Sequence, residues 1–380
     1  WTAAPHCERS GMKHRLRLGC GTVLLGYLSR ELLTKVFTTA VIVVSLMEIL
    51  ALLEQVTEIM HRHLGLSGVL YYGVMHLPLL FGNAMPIAVL IGALLTLLQL
   101  TTSNEISIMR AAGLSTPGLI KLFLPTILAL GVLSGVVDDQ LTPRSELALA
   151  RWWNETTPGA INNWHNYWIR SHDDVININY LDHGGAHLKN VTIYHRDHQS
   201  LLQKVTTLSD MHYEHGHWYG TPSRILSVIS PARIDLLDTP PGQTVRVDWP
   251  PSLTPDHIIQ LTISFTQSVG TMLDEQRGTL ASSQSPSFFM TEILGRIMLP
   301  VTFTVMLLLA VPVVYIPPRA GTRSWLPIWC LGAGLLFVVF QGLLRALGNA
   351  GTLPSLMAIC VGILIFILGV ITVLLRIEER

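Results

Sequence analysis

The chain has 380 residues, 49% hydrophobic and 13% charged, with mean hydropathy +0.45 and a formal net charge of zero. Soluble chains carry about 25% charged residues, so the composition argues against a single soluble domain. The neutral balance, with a pI near 7.4, offers no basic footprint for a nucleic-acid partner.

In chain order, Trp1 opens the sequence and Met12 offers a start, with residues 1–11 as an upstream extension. Residues 12–28 hold Lys13, Arg15 and Arg17 before a short, glycine-broken apolar run, which reads as a basic cytoplasmic lead-in. Six apolar runs follow, each with about the 20 residues needed to cross about 30 Å of hydrocarbon. Spans 1, 2 and 3 cover residues 36–53, 70–100 and 119–137; spans 4, 5 and 6 cover residues 297–316, 326–344 and 353–375. A polar loop begins at Glu54 and holds His61, Arg62 and His63. Pro78, Gly82, Pro86 and Gly92 predict a kink in span 2.

Lysine and arginine in short segments set the orientation. The N-terminal side holds Arg30, Lys35, Arg110, Lys121, Arg319, Arg323, Arg376 and Arg380 besides the lead-in, against Arg62 and Arg345 in short loops on the other side. Both termini are expected in the cytoplasm and the large insert between spans 3 and 4 outside. The expected organisation is a transmembrane half (residues 1–143), an extracytoplasmic β-rich domain ending in helices (144–287) and a second transmembrane half (288–380).

The insert alternates as half-buried strands do. Ile176, Ile178 and Tyr180 share one face, with Asn177 and Asn179 on the other, and residues 190–195 repeat the pattern. Residues 182–185 (Asp-His-Gly-Gly) read as the turn between them. Further strands are expected at 202–208, 218–219, 225–228 and 245–247, and short helices at 257–261 and 268–276, before a serine-rich linker at 282–287. Short, closely spaced strands indicate a sandwich or jelly roll. The fold class is therefore membrane α-helical, six helices as 3+3, with an inserted all-β, jelly-roll-like domain.

Signatures of chemistry are absent. No lysine follows a glycine, so there is no Walker A loop, and neither H-E-x-x-H nor G-x-S-x-G occurs. Cys7, Cys20, Cys330 and Cys360 form no C-x-x-C pair and read as small apolar fillers. His212, His215 and His217 have no Cys or acidic pair to complete a zinc site and read as a polar strand and turn, His215 and His217 sharing a face if both are in a strand. Glu48 lies within span 1, where an ionisable group is costly. A functional role and a wet or paired helix interface remain equal alternatives for it. Gly131 and Gly135 form a G-x-x-x-G in span 3 that permits close helix approach.

Residues 102–113 (Thr-Ser-Asn-Glu-Ile-Ser-Ile-Met-Arg-Ala-Ala-Gly) predict a short amphipathic helix between spans 2 and 3. Thr102 and Glu105 have capping-box spacing, Gly113 closes the helix, and Ile106, Met109 and Arg110 share a face. A transporter presents such a helix to a separate motor subunit; a solvated loop helix resting on the membrane is the plainer alternative.

These stretches resemble the LptF/LptG family of lipopolysaccharide-export ABC permeases. The resemblance rests on residues 26–31 (Gly-Tyr-Leu-Ser-Arg-Glu), 53–55 (Leu-Glu-Gln), 85–88 (Met-Pro-Ile-Ala), 104–113, Pro143 with Glu146, Trp168, and 252–256 (Ser-Leu-Thr-Pro-Asp). It covers about residues 26–376, and Glu54-Gln55 with 252–256 lean toward the LptG branch. Permeases of that branch can carry a lysine late in span 1; Ala51 stands there in this chain, so that lipid contact is not carried over.

The resemblance implies a permease subunit without its own catalytic or metal site and with no cofactor bound directly. ATP would be used by a partner, an LptB-like ATPase dimer. Further implied partners are a homologous LptF-like permease, periplasmic bridge proteins of LptC and LptA type, and lipopolysaccharide. The coupling residues would be Glu105, Ile106, Met109, Arg110 and Gly113. For the lipid's acidic head group, Arg144, Arg151 and Arg345 are candidates by depth and charge, with Glu48 beside them; pairing of the arginines with Asp138, Asp139 or Glu146 is the alternative. Two other classes are weighed: a permease of another ABC class, serving lipoprotein release or mechanotransmission, and a membrane-anchored enzyme.

Overall fold

The protein is described from a computed structural model, which covers residues 9–156, 164–171, 173–181, 185–197, 199, 201–230, 233–237, 244–247, 249, 253–262, 267–315 and 325–378. Residues 182–184 of the expected turn, Ser252, Cys7, Arg319 and Arg323 lie outside these. So do the side chains of residues 9–22, Cys20 included.

The N-terminal half contains α1 (Arg9–His61), α2 (Gly65–Thr102), α3 (Glu105–Ala111), α4 (Thr116–Gln140) and α5 (Thr142–Glu155). α1 continues through the loop expected from Glu54, and the chain turns only at residues 62–64. Pro78 and Pro86 both lie within the continuous α2. α4 begins where the Ser115 hydroxyl accepts from the Gly118 N–H, with proline in the first turn.

The C-terminal half contains α8 (Pro286–Ile297), α9 (Leu299–Ala310), a 3-10 segment (Val311–Tyr315), α10 (Leu326–Asn349) and α11 (Ser355–Glu378). Span 4 starts earlier than expected, because Ser285 caps a helix opened by Pro286, and α8 and α9 meet at a 55° bend. Among the described residues five helices are long and apolar enough to cross a bilayer, or six if the bent pair is one crossing. Of α2's apolar window 67% is buried within the protein, against 17–28% for the other four, so α2 is the central helix. Outward faces such as Leu336, Val339 and Leu343 on α10 stay exposed, as lipid or a partner requires.

Close crossings use glycine. A Cβ on Gly131 would sit 2.5 Å from the Pro300 Cα, and one on Gly92 2.7 Å from the Val36 Cα. The G-x-x-x-G of span 3 thus faces the start of α9, tightly at Gly131 and loosely at Gly135.

Between the halves, seven strands among the described residues form one antiparallel sheet: β1 (Trp164–Ser171), β2 (Asp174–Leu181), β3 (His187–Arg196), β4 (Leu202–Glu214), β5 (His217–Ser230), β6 (Arg233–Leu237) and β7 (Val245–Val247). The order is a meander from β1 to β6, with β7 also pairing β5. The two short strands expected at 218–219 and 225–228 are parts of β5. Ile176, Ile178, Val191, Ile193, Leu208 and Met211 form an apolar face onto which α6 (Pro255–Thr262) packs Ile258 and Leu261. Trp218 Nε1–H donates to the Leu253 carbonyl at 2.7 Å, tying the sheet to the chain entering α6. α7 (Val269–Gln276), capped by Ser268, leads back toward α8.

Candidate coupling and substrate sites

α3 lies between α2 and α4, at the end of the bundle opposite the sheet. Thr102 ends α2 and its hydroxyl donates to the Gln99 carbonyl, so the expected capping box does not form. The chain turns instead at Asn104, φ 63°, in the left-handed region that asparagine tolerates. Glu105 spends both carboxylate oxygens within the chain: Tyr27 Oη–H donates to Oε2 at 3.1 Å and Ser103 Oγ–H to Oε1 at 2.9 Å. Ile106 is buried and Met109 packs on the same core. These two hold α3 to the bundle, while Ser107, Ile108 and Ala111 face outward, Ile108 66% exposed. Arg110 lies over the Tyr315 ring, 4.7 Å from its centroid. Gly113, at φ 90°, ends the helix.

At the sheet end, α5 carries both Arg144 and Arg151, so their seven-residue spacing sets them two turns apart on one side of the helix. Arg144 is exposed and has no ion pair among the described residues. Arg151 pairs with Asp256 of α6 at 2.7 Å rather than with an acid of its own helix. Arg345 lies inside α10, not in a loop, because the helix runs on to Asn349. Its guanidinium pairs with Glu292 of α8, which also accepts from Asn349 at 2.9 Å.

Sequence reasoning missed the group beneath. Arg296 of α8, 9% exposed, approaches Asp138 at 3.4 Å and Asp139 at 3.1 Å on α4. Asp139 also accepts the Val269 N–H that begins α7, at 2.6 Å. Asn83, Ser134, Asp138, Glu292, Arg296 and Arg345 line a polar cavity of about 340 Å³ here. The available signal was an arginine directly before the first residue of span 4, since charges at membrane depth need partners.

Glu48 sits in a recess made by Gly73, whose Cβ would lie 3.1 Å from Oε1. His76 Nδ1 of α2 is 3.5 Å from Glu48 Oε2, and both side chains are largely buried. His212, His215 and His217 do not converge. His212 is in β4, His215 sits in the hairpin turn at φ 49° and His217 starts β5, so His215 and His217 share no strand face. The described residues contain no group of three metal-ligating side chains.

Comparison with known proteins gives one family: a model described as the lipopolysaccharide export system permease LptF/LptG matches residues 26–376. The chain is similar to the lipopolysaccharide export system permease protein LptG of Escherichia coli strain K12, 21% identical over 324 residues, which is 84% of this chain and 88% of the relative. The protein of the same name from E. coli O6:H1 gives the same values.

Proposed function

The chain belongs to the LptF/LptG family of lipopolysaccharide export permeases, and from that premise we propose that it is the LptG-type half of an exporter that lifts lipopolysaccharide from the inner membrane. The family's members are transporter permeases rather than enzymes. The observation that carries this reading is the family match over nearly the whole chain, 26–376.

In this reading the chain crosses six times as 3+3, the bent pair counting once. Both termini and α3 are cytoplasmic, and the sheet is periplasmic and jelly-roll-like. An LptF-like permease completes the cavity, an LptB-like ATPase dimer docks below, and LptC- and LptA-like bridges receive the lipid above. Arg144, Arg151 and Arg345 meet the lipid's acidic head group, for which arginine's bidentate donors are suited. An acyl chain entering water would lose about 0.8 kcal/mol per CH₂, a loss that a β-domain offering it apolar surface would reduce.

The test is reconstitution. The chain is co-expressed with its LptF-like and ATPase partners and placed in vesicles containing lipopolysaccharide. ATP-dependent release of the lipid to a periplasmic acceptor is expected; release without ATP, or a wild-type chain that recruits neither partner, would overturn the reading. Orientation is read separately. A cysteine at Thr352 should be labelled from outside and one at Ala112 only from inside, both side chains being exposed at opposite ends of the bundle.

A further inference from the structure

α3 is fastened on two flanks by different means. Tyr27 of α1 donates to Glu105 on one flank. On the other, the Arg110 guanidinium lies over Tyr315, the last residue of the 3-10 segment that ends the bent span. The Tyr315 hydroxyl also shares a hydrogen bond of 3.0 Å with the Thr116 hydroxyl in the first turn of α4, and Arg110 Nη2 reaches that same hydroxyl at 3.5 Å. The tyrosine thus joins the outward-facing helix and the start of α4, neighbours in sequence, to the distant C-terminal half.

We propose that Tyr315 is a positioning residue that carries displacement of α3 into the C-terminal half of the protein. Ile106 and Met109 already pack α3 on the core that both halves share; the contact of Arg110 with Tyr315 adds a polar tie from α3 to the end of the bent span. The ring and the hydroxyl divide the work: the ring face holds the cation of Arg110 and the hydroxyl holds Thr116. Neither group lies on the outward face formed by Ser107, Ile108 and Ala111, so the tie acts through α3 rather than by touching a docked subunit.

The inference rests on the exporter reading, and its test separates the two. In the assembled complex, ATP hydrolysed and lipopolysaccharide released are measured in the same vesicles. Tyr315→Ala is expected to keep ATPase association and hydrolysis but to lower lipid released per ATP by about fivefold or more, the scale of typical coupling between sites. Tyr315→Phe, which keeps the ring, should recover most of the ratio. Combining Tyr315→Ala with Arg110→Gln should cost no more than the worse single change, because both remove one contact. A wild-type ratio in Tyr315→Ala, or loss of the ATPase from that complex, would overturn the proposal. If Tyr315→Ala does not assemble, Tyr315→Leu, which fills the space without a ring face or hydroxyl, decides: the ratio falls or the proposal fails. A wild-type complex that releases no lipid sinks the exporter reading instead.

Discussion

Arg296 on α8 reaches Asp139 on α4 at 3.1 Å, and through that contact the two membrane halves and the helix returning from the sheet share one carboxylate. Asp139 receives the guanidinium and the Val269 N–H on the same oxygen. Removing the arginine leaves Asp138 and Asp139 without their cation. Breaking a buried pair by deleting one partner typically costs about 3–5 kcal/mol. Arg296→Ala is therefore expected to lower the thermal midpoint of the purified chain more than any change among Arg144, Arg151 and Arg345. Asp139→Asn, which keeps an acceptor for Val269, should be milder. Equal midpoints for Arg296→Ala and wild type would show that the halves do not depend on this contact.

The three head-group candidates are predicted to separate. Arg144 is exposed and free of ion pairs among the described residues. Arg151 shares a surface pair with Asp256, a kind of contact worth about 0–1 kcal/mol and easily exchanged for a phosphate. Arg345 holds the largely buried Glu292. Arg144→Ala should reduce photocrosslinking to lipopolysaccharide several-fold at unchanged stability, and Arg151→Ala should reduce it less. Arg345→Ala should lower the melting point as well, by leaving Glu292 unpaired. Crosslinking that ignores Arg144 would remove it from the substrate path.

For α3 the exposed face, not the buried one, should decide association with the ATPase. Ile108→Asp is expected to weaken co-purification by about tenfold or more, as loss of an apolar anchor does at about 1.4 kcal/mol per decade, while the chain inserts normally. Ile106→Asp puts a charge into the bundle core and should reduce the amount of folded chain. Glu105→Gln should be tolerated, since an amide oxygen still accepts from Tyr27, whereas Glu105→Arg should not. An Ile108→Asp chain that retains its ATPase would move the docking face elsewhere.

Protonation should tune the sheet's return segment. Glu275 of α7 is 5% exposed beside Gln267 and Ser282, and burial pushes its carboxyl up to about 8. The folded state then holds a proton that the unfolded chain releases above 4.5, so this contribution to stability is full below 4.5 and is lost as pH rises toward 8. His257 works in the opposite sense. Burial lowers its pKa below 6.5, partly offset by the Ala281 carbonyl it contacts, so stability falls as pH drops below 6.5. Thermal unfolding of the full chain should therefore show a midpoint that declines from about pH 6.5 to 8, and Glu275→Gln should flatten that limb. An unchanged slope in the variant would assign the pH dependence to other groups.

Much of the architecture was legible from periodicity. The apolar runs located the crossings, and the alternation through Ile176 and Ile178 located β2 and its buried face. Legibility failed where a distant element overrides a local pattern. Asn177 is placed by the alternation on the polar face opposite Ile176 and Ile178, yet it is buried. Arg345 looked like a loop residue because a charge usually ends a span, but Glu292 supplies the partner that lets α10 continue. Ile106 and Met109 were read as an interface from their shared face; that face turns inward, because the bundle core buries it first. The contacts of Arg110 with Tyr315 and of Arg296 with Asp139 link residues on opposite sides of the insert, and no local rule could join them.

The 55° bend between α8 and α9 gives the C-terminal half the mechanics of a cranked lever. Its fulcrum lies at Met298, where Pro300 is wedged against Gly131 of α4. Its longer arm is α9 with the 3-10 segment, Tyr315 at the tip, and its shorter arm is α8. Twelve residues of helix span about 18 Å, so a rotation of about 10° at the joint swings the Pro286 end through about 3 Å. On the tie proposed above, a displacement of Tyr315 would reach the Pro286 end of α8 reduced rather than amplified, as a stroke on the ångström scale.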